Sequence, residues 1–148
     1  QGECKMANIF DTAQYILEKQ GEMSTMKLQK LCYYAQAWSL VWDDKELFPE
    51  EFEAWTNGPV CRKLFERTKG KFRVNANDET GGDNDLTDEQ KDTIDHVLEH
   101  YAPHDSQWLS QLTHMEEPWR QARIDVPNGS PSDNIISKES MAIYYGGL

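Results

Sequence analysis

Several things are missing from this 148-residue chain, and each absence narrows what it can be. No apolar run approaches the ~18 residues that a membrane-spanning helix requires. No basic stretch followed by an apolar core marks a secretory leader. Cysteine is scarce: Cys4, Cys32 and Cys61 are odd in number and widely spaced, which fits neither a disulfide framework nor a zinc pattern. A reducing cytoplasm without membrane contact is the expected setting. There is no Gly-rich phosphate loop, no Gly-x-Ser-x-Gly and no Cys/His pairing at a catalytic spacing. No repeat of 20 to 50 residues and no low-complexity tract is present. Positive charge is also in short supply, with 15 Lys and Arg against 26 Asp and Glu, a net of −11. Nucleic acid is repelled by most of such a surface.

The basic residues that do occur are bunched. Arg62, Lys63, Arg67, Lys69, Lys71 and Arg73 fall in one short run, while acids gather from Glu46 to Glu53 and from Asp78 to Asp95. The run reads as a solvated helix face leading into a loop, or as a docking patch for an acidic partner or nucleic acid. The length suits one ordinary domain. Residues Gln1–Lys5 precede Met6 and read as an expression-tag remnant, which leaves 6–148 as a single domain.

What is abundant is large aromatic side chains: five Trp and six Tyr in a chain that is 38% hydrophobic. They concentrate in Thr25–Trp42, TMKLQKLCYYAQAWSLVW. Leu28, Leu31, Cys32, Ala35, Trp38, Ser39 and Trp42 recur at helical spacing, and Tyr33, Tyr34, Ala37, Leu40 and Val41 occupy other faces. Only Lys27, Gln29, Lys30 and Gln36 break the apolar circumference. This is the pattern of a helix enclosed by other elements, ~27 Å long at ~1.5 Å per residue.

A first helix is expected from about Ile9 to Lys19, capped by Asn8 or Asp11 and stopped by Gly21. Ser24 or Thr25 caps the central helix. Glu46–Phe48 and Glu51–Trp55 are short segments, the second alternating as a half-buried strand. In Asn57-Gly58-Pro59, Gly58 permits an unusual backbone angle and Pro59 suits the first turn of a helix that runs through Val60, Leu64 and Thr68. Phe72 and Val74 suggest a second strand, and residues 75–85 a mobile polar loop. Thr87 and Gln90 form a capping box before a helix striped by Ile94, Val97, Leu98 and Tyr101. Ser106 is expected to cap a helix with Trp108, Leu109 and Leu112 facing inward. Glu117-Pro118 opens another, and Ser137 caps the last. The fold class is therefore mainly α, with α+β character: a compact single-domain helical bundle around a central buried helix, with a small β-hairpin or a short two- to three-stranded sheet.

Two groups invite a chemical reading. His96 and His100 lie four apart on a helix and, with Asp92, could share a metal, although no His-Glu-x-x-His pattern surrounds them. The segment from His114 to Trp119 joins a His, two acids and a Trp at a helix start. It reads as a structural cap, an acid/base pair, or a Trp-and-charge surface for a protein partner. No cofactor and no metal are expected, and an enzyme is the least favoured of the readings.

Three segments together resemble one family. KLQKLCYYAQAW (Lys27–Trp38), FEAWTNGPV (Phe52–Val60) and THMEEPWRQAR (Thr113–Arg123) are similar, in this order, to the signature blocks of the SocA-like, or Panacea, antitoxin domain, found in phage-associated proteins. The resemblance implies a mostly helical domain, a bacterial or prophage setting, and an antitoxin of a toxin–antitoxin system that binds a cognate protein toxin. It implies no catalytic residues. The SocA branch also implies delivery of the toxin to a cytoplasmic AAA+ protease as an alternative. DNA binding is not expected without an added domain. The surface expected to meet the toxin comprises Trp55, Asn57, Gly58 and Pro59, the adjoining Arg62 and Lys63, and His114, Glu116, Trp119 and Arg120.

Overall fold

A computed structural model describes residues 7–78 and 85–148. The proposed tag remnant and most of the expected polar loop lie outside the described residues. Among those described, the elements run α1 (Ile9–Gln20), β1 (Met23–Ser24), α2 (Thr25–Trp42), β2 (Phe52–Trp55), β3 (Gly58–Val60), α3 (Arg62–Arg67) and β4 (Arg73–Val74). Then follow α4 (Asp88–Tyr101), α5 (Ser106–His114), α6 (Glu117–Ala122), β5 (Ile135–Ile136) and α7 (Lys138–Gly146). The mainly helical architecture with a small sheet component is the one the residue pattern implies.

Local chemistry fixes the helix starts. Asn8 and Asp11 exchange side-chain and backbone hydrogen bonds in a capping box on α1. Ser24 accepts from the Lys27 N–H on α2, and Thr87 and Gln90 form the expected box on α4. On α5 the cap is Asp105, whose carboxylate accepts from the Trp108 N–H, rather than Ser106. Only one of two adjacent capping-type residues can have the extended backbone that a cap needs, and Asp105 has it.

Helix α2 is the axis of the molecule. It packs on α1, α3, α4, α5 and α7 and on strands β1 and β3, and every residue from Leu28 to Ala37 is buried. Tyr33, Tyr34 and Tyr145 form an edge-to-face cluster, and Tyr34 stacks on Tyr101 with ring centroids 4.0 Å apart. The acidic member of this cluster is Glu116, whose Oε1 accepts 2.7 Å hydrogen bonds from the hydroxyls of both Tyr34 and Tyr145. Burial raises the Glu116 pKa, against the two hydroxyls, which lower it.

Most of the polar positions that interrupt the apolar circumference of α2 are enclosed with the rest of the helix. Gln29, Lys30 and Gln36 are all buried. Gln36 Nε2 donates to the Phe48 carbonyl at 2.7 Å and its Oε1 accepts from the Leu47 N–H at 2.6 Å. Gln29 binds both backbone groups of Cys61 in the same way, at 3.1 and 2.8 Å. Each amide thus imitates one rung of a β-ladder and pins a connecting segment to the helix. Lys27 reaches across to donate to the Ala102 carbonyl at the end of α4. Leu47 and Phe48 are held in the core by this bridge and form no strand.

The sheet is antiparallel in the order β3-β2-β5, with a separate β1–β4 pair. Pro59 lies in β3 opposite Ala54, not in a helix. As an edge strand, β3 tolerates the lost N–H. The second strand is Arg73–Val74, paired with β1, and Phe72 is exposed. Trp42 and Trp108 are 51% and 42% exposed, at odds with their place on apolar stripes. Trp42 lies at the last turn of α2, where it borders an open groove against α4, and Trp108 stacks on His104 at 3.6 Å.

Gln36→Ala leaves the Leu47 N–H and Phe48 C=O without partners in the core. At about 1–3 kcal/mol for each stranded group, a loss of about 2–4 kcal/mol is expected. Urea unfolding measures it; a change under about 0.5 kcal/mol would show that the 43–51 segment is held by other contacts.

Candidate functional site

The β2–β3 hairpin and the α5–α6 corner come from distant parts of the chain and meet on one face. Ser110 Oγ, on α5, donates to the Asn57 carbonyl at the hairpin tip. Trp119 Nε1, on α6, donates to the Trp55 carbonyl at 2.9 Å. Arg123, buried just past α6, donates to the carbonyls of Ala54 and Ser130 and lies 5.0 Å over the Trp119 ring. His114 stacks on Trp119 at 4.1 Å. The hairpin is thereby held in a fixed pose on helical supports.

Its outward side carries Trp55. The Glu53 carboxylate accepts from the Trp55 indole at 2.8 Å and from two nitrogens of Arg62 at 2.9 and 3.1 Å. The Arg62 guanidinium lies 5.3 Å over the Trp55 ring, and Phe65 packs against it edge-on at 5.0 Å. A cleft of about 430 Å³ opens beside them, lined by Met26, Trp55, Asn57, Arg62 and the 131–133 loop. Trp55 and Arg62 on this face are thus each held by several contacts within the chain itself.

Beneath the hairpin lies an unusual group. The side chain of Lys30 is fully buried, and its Nζ has no hydrogen-bond partner among the described residues. Burial pushes its pKa down to about 7. Gly58, at φ 119°, lies directly over it: a Cβ there would stand 2.7 Å from Lys30 Cε and 3.0 Å from Thr113 Oγ1. The neighbouring His114 Nε2 is also buried and unpartnered among the described residues. Burial first, and then Lys30, lower the His114 pKa.

The ten residues expected at a partner surface fall into two groups. Asn57, Arg62, Lys63 and Arg120 are exposed, and Trp55, His114 and Trp119 are half-buried. Gly58, Pro59 and Glu116 are buried, so they shape the face from below and present nothing to a partner. The acid/base reading of His114 with Glu116 gains no contact, because the Glu116 Oε1 is held by tyrosines. His96 Nδ1 lies on the Asp92 carbonyl at 2.9 Å, and no group of three His, Cys, Asp or Glu among the described residues is placed to hold a metal. Nor is the basic run one positive patch. Arg62 pairs with Glu53, Lys71 with Asp78 and Arg73 with Glu22, while Arg67 lies over Phe10. Lys30, Met26 and Arg123 went unnoticed as members of this region. Their signal was present, since all three sit in or beside the blocks Lys27–Trp38 and Thr113–Arg123 singled out in the sequence.

Lys30→Met is expected to stabilise the fold near pH 7.5. It is also expected to flatten a pH slope. The folded-state pKa of Lys30, about 7, lies below its unfolded value of about 10.4, so between these limits the unfolded chain holds up to one more proton. Wild-type stability therefore rises with pH by up to about 1.4 kcal/mol per unit in that window, and falls as pH drops toward the folded pKa. Denaturant unfolding across the window checks this, and identical slopes in both proteins would refute it. Gly58→Ala is expected to cost about 2–4 kcal/mol through strain at positive φ and the clash with Lys30.

Neither curated proteins nor solved structures give a match to this chain. No helix among the described residues is long and apolar enough to cross a membrane. The sequence does match one family over residues 28–120, more than half its length, a span that begins in α2 and ends in α6 and so contains the hairpin, the α5–α6 corner and the buried lysine between them. The chain is a member of that family, described as antitoxin SocA-like, Panacea domain.

Proposed function

We propose that this protein neutralises a co-encoded protein toxin by direct binding, and that the hairpin-tip face is the surface that meets it. The observation that carries this reading is the pre-ordered Trp55–Arg62 platform inside the span that matches the antitoxin family. Trp and Arg are the side chains most often found at interface hot spots, and their anchoring here avoids an ordering cost on association. Asn57, Lys63 and Arg120 supply polar contacts around the platform, and Trp119 and His114 hold it in place. An interface of the usual size, roughly 1,600 Å² in total, extends beyond the cleft onto the flanking loops. The net charge of −11 favours a partner with a basic surface and speeds their encounter. The setting proposed is a prophage-type toxin–antitoxin module in the bacterial cytoplasm.

Co-expression with the product of the neighbouring gene tests the reading: growth arrest by that product alone, relieved by this protein, is expected. Trp55→Ala should weaken the complex by about 30-fold or more, as for a hot-spot tryptophan, with the fold intact by circular dichroism. A neighbour that is harmless alone, or a complex unaffected by Trp55→Ala and Arg120→Ala together, would refute it. Toxin half-life in cells that keep their AAA+ proteases separates sequestration from delivery, since only delivery shortens it.

A further inference from the structure

A second groove lies at the other end of α2. Met26 lines the hairpin-side cleft and Trp42 lines this one, 16 residues further along the same helix, or ~24 Å at ~1.5 Å per residue. Its volume is about 450 Å³, and its walls are Trp38, Trp42, His96, Val97, Glu99, His100 and Tyr101. Trp42 is 51% exposed, yet it is not loose. It stacks on Trp38 at 5.0 Å, and Trp38 is fixed by its Nε1 donating to the Tyr101 hydroxyl at 2.9 Å. His96 closes the far side, edge-on to Trp42 at 6.2 Å.

Acidic groups outnumber basic ones around these rings, although His96 and His100 also line the groove and Asp92, more than Glu99 and Asp95, raises the His96 pKa. Helix α4 carries Asp88, Glu89, Asp92, Asp95 and Glu99 against a single Lys91. Asp43 and Asp44 follow Trp42 directly, and the last turn of α2 has no basic residue. The carbonyl end of α2 therefore adds its own negative potential at Trp42. The nearby lysines are engaged away from the groove: Lys45 with Glu89 at 3.4 Å, Lys19 with Asp95 at 3.9 Å, and Lys91 over Tyr15. Glu99, on the groove wall, makes no salt bridge to a lysine or arginine among the described residues, and its nearest cationic influence is on His96, whose pKa it helps raise.

We propose that this groove binds the guanidinium group of an arginine side chain presented by a basic protein partner. An indole face attracts a cation, and a guanidinium is flat, weakly hydrated and able to stack on Trp42 while its N–H groups reach the Glu99 carboxylate. An ammonium is compact and strongly hydrated, and gains less from such a slot. The proposal is independent of the hairpin-tip surface, and either can fail without the other.

The test uses the full chain with 15N-labelled tryptophan indoles, titrated with triarginine amide, trilysine amide and tetramethylammonium. The Trp42 indole resonance should move with triarginine, at about fivefold or better affinity over trilysine, and Trp55 should not move. Trp42→Ala should weaken triarginine binding about tenfold, Trp42→Phe should restore part of it, and Glu99→Gln should weaken it about threefold. Trp42 is exposed, so the alanine variant should fold, and Glu99→Gln gives an independent reading without a packing change. Equal affinity for trilysine, an unchanged Trp42→Ala, or preference for tetramethylammonium would overturn the proposal. The first two would point to a diffuse negative field and the last to a cage for quaternary amines.

Discussion

A helix whose middle ten residues have no side facing water must settle the polar groups there inside the protein, and α2, counting the adjoining Lys27, shows three ways of doing so. Gln29 and Gln36 turn their amides on the backbone of neighbouring segments and give each both a donor and an acceptor. Lys27 stretches to a helix-end carbonyl. Lys30 finds no partner among the described residues, and its amine pKa falls instead. The segments that wrap α2 are thus placed by specific hydrogen bonds as well as by apolar contact, and buried amide bridges of this kind have only one register that satisfies them.

That register is what brings the hairpin to the α5–α6 corner. Gln29 fixes Cys61 at the end of β3, Gly58 passes close over Lys30, and the tip then falls within reach of Ser110 and Trp119. Glu116 closes the arrangement from the opposite side by tying the start of α6 to Tyr34 on α2 and to Tyr145 on α7. One face of the molecule therefore derives its shape from four separate stretches of chain, each referred to the same central helix.

Much of this was readable from residue order alone. The apolar stripes, the cap at Asn8, the capping box at Thr87 and the three family-like blocks gave the helices and their order, because capping and periodicity are local properties. The hairpin with Pro59 in an edge strand was not readable, since Gly-Pro-Val serves a helix start as well as a strand and only the pairing with Ala54 decides. Burial of Gln29, Lys30 and Gln36 escaped for a related reason. The sequence does not show how a polar residue in an apolar helix is satisfied, because these partners lie 11 to 32 positions away or, for Lys30, are not found among the described residues. Trp42 and Trp108 kept the helical period yet are exposed, because period alone does not say how closely a neighbouring element packs.

The enclosure of α2 also bears on how the molecule behaves as a mechanical object. The ten consecutive residues Leu28–Ala37 are gripped from all sides, so this part of the rod cannot bend or slide without loosening several packed layers at once. It acts as a stiff strut whose two tips, near Met26 and Trp42, stand far enough apart for both to be occupied together. Close packing leaves this strut one arrangement and no second state for an occupant to favour, so on the two proposals above the chain suits bridging two macromolecules better than relaying a signal from one to the other.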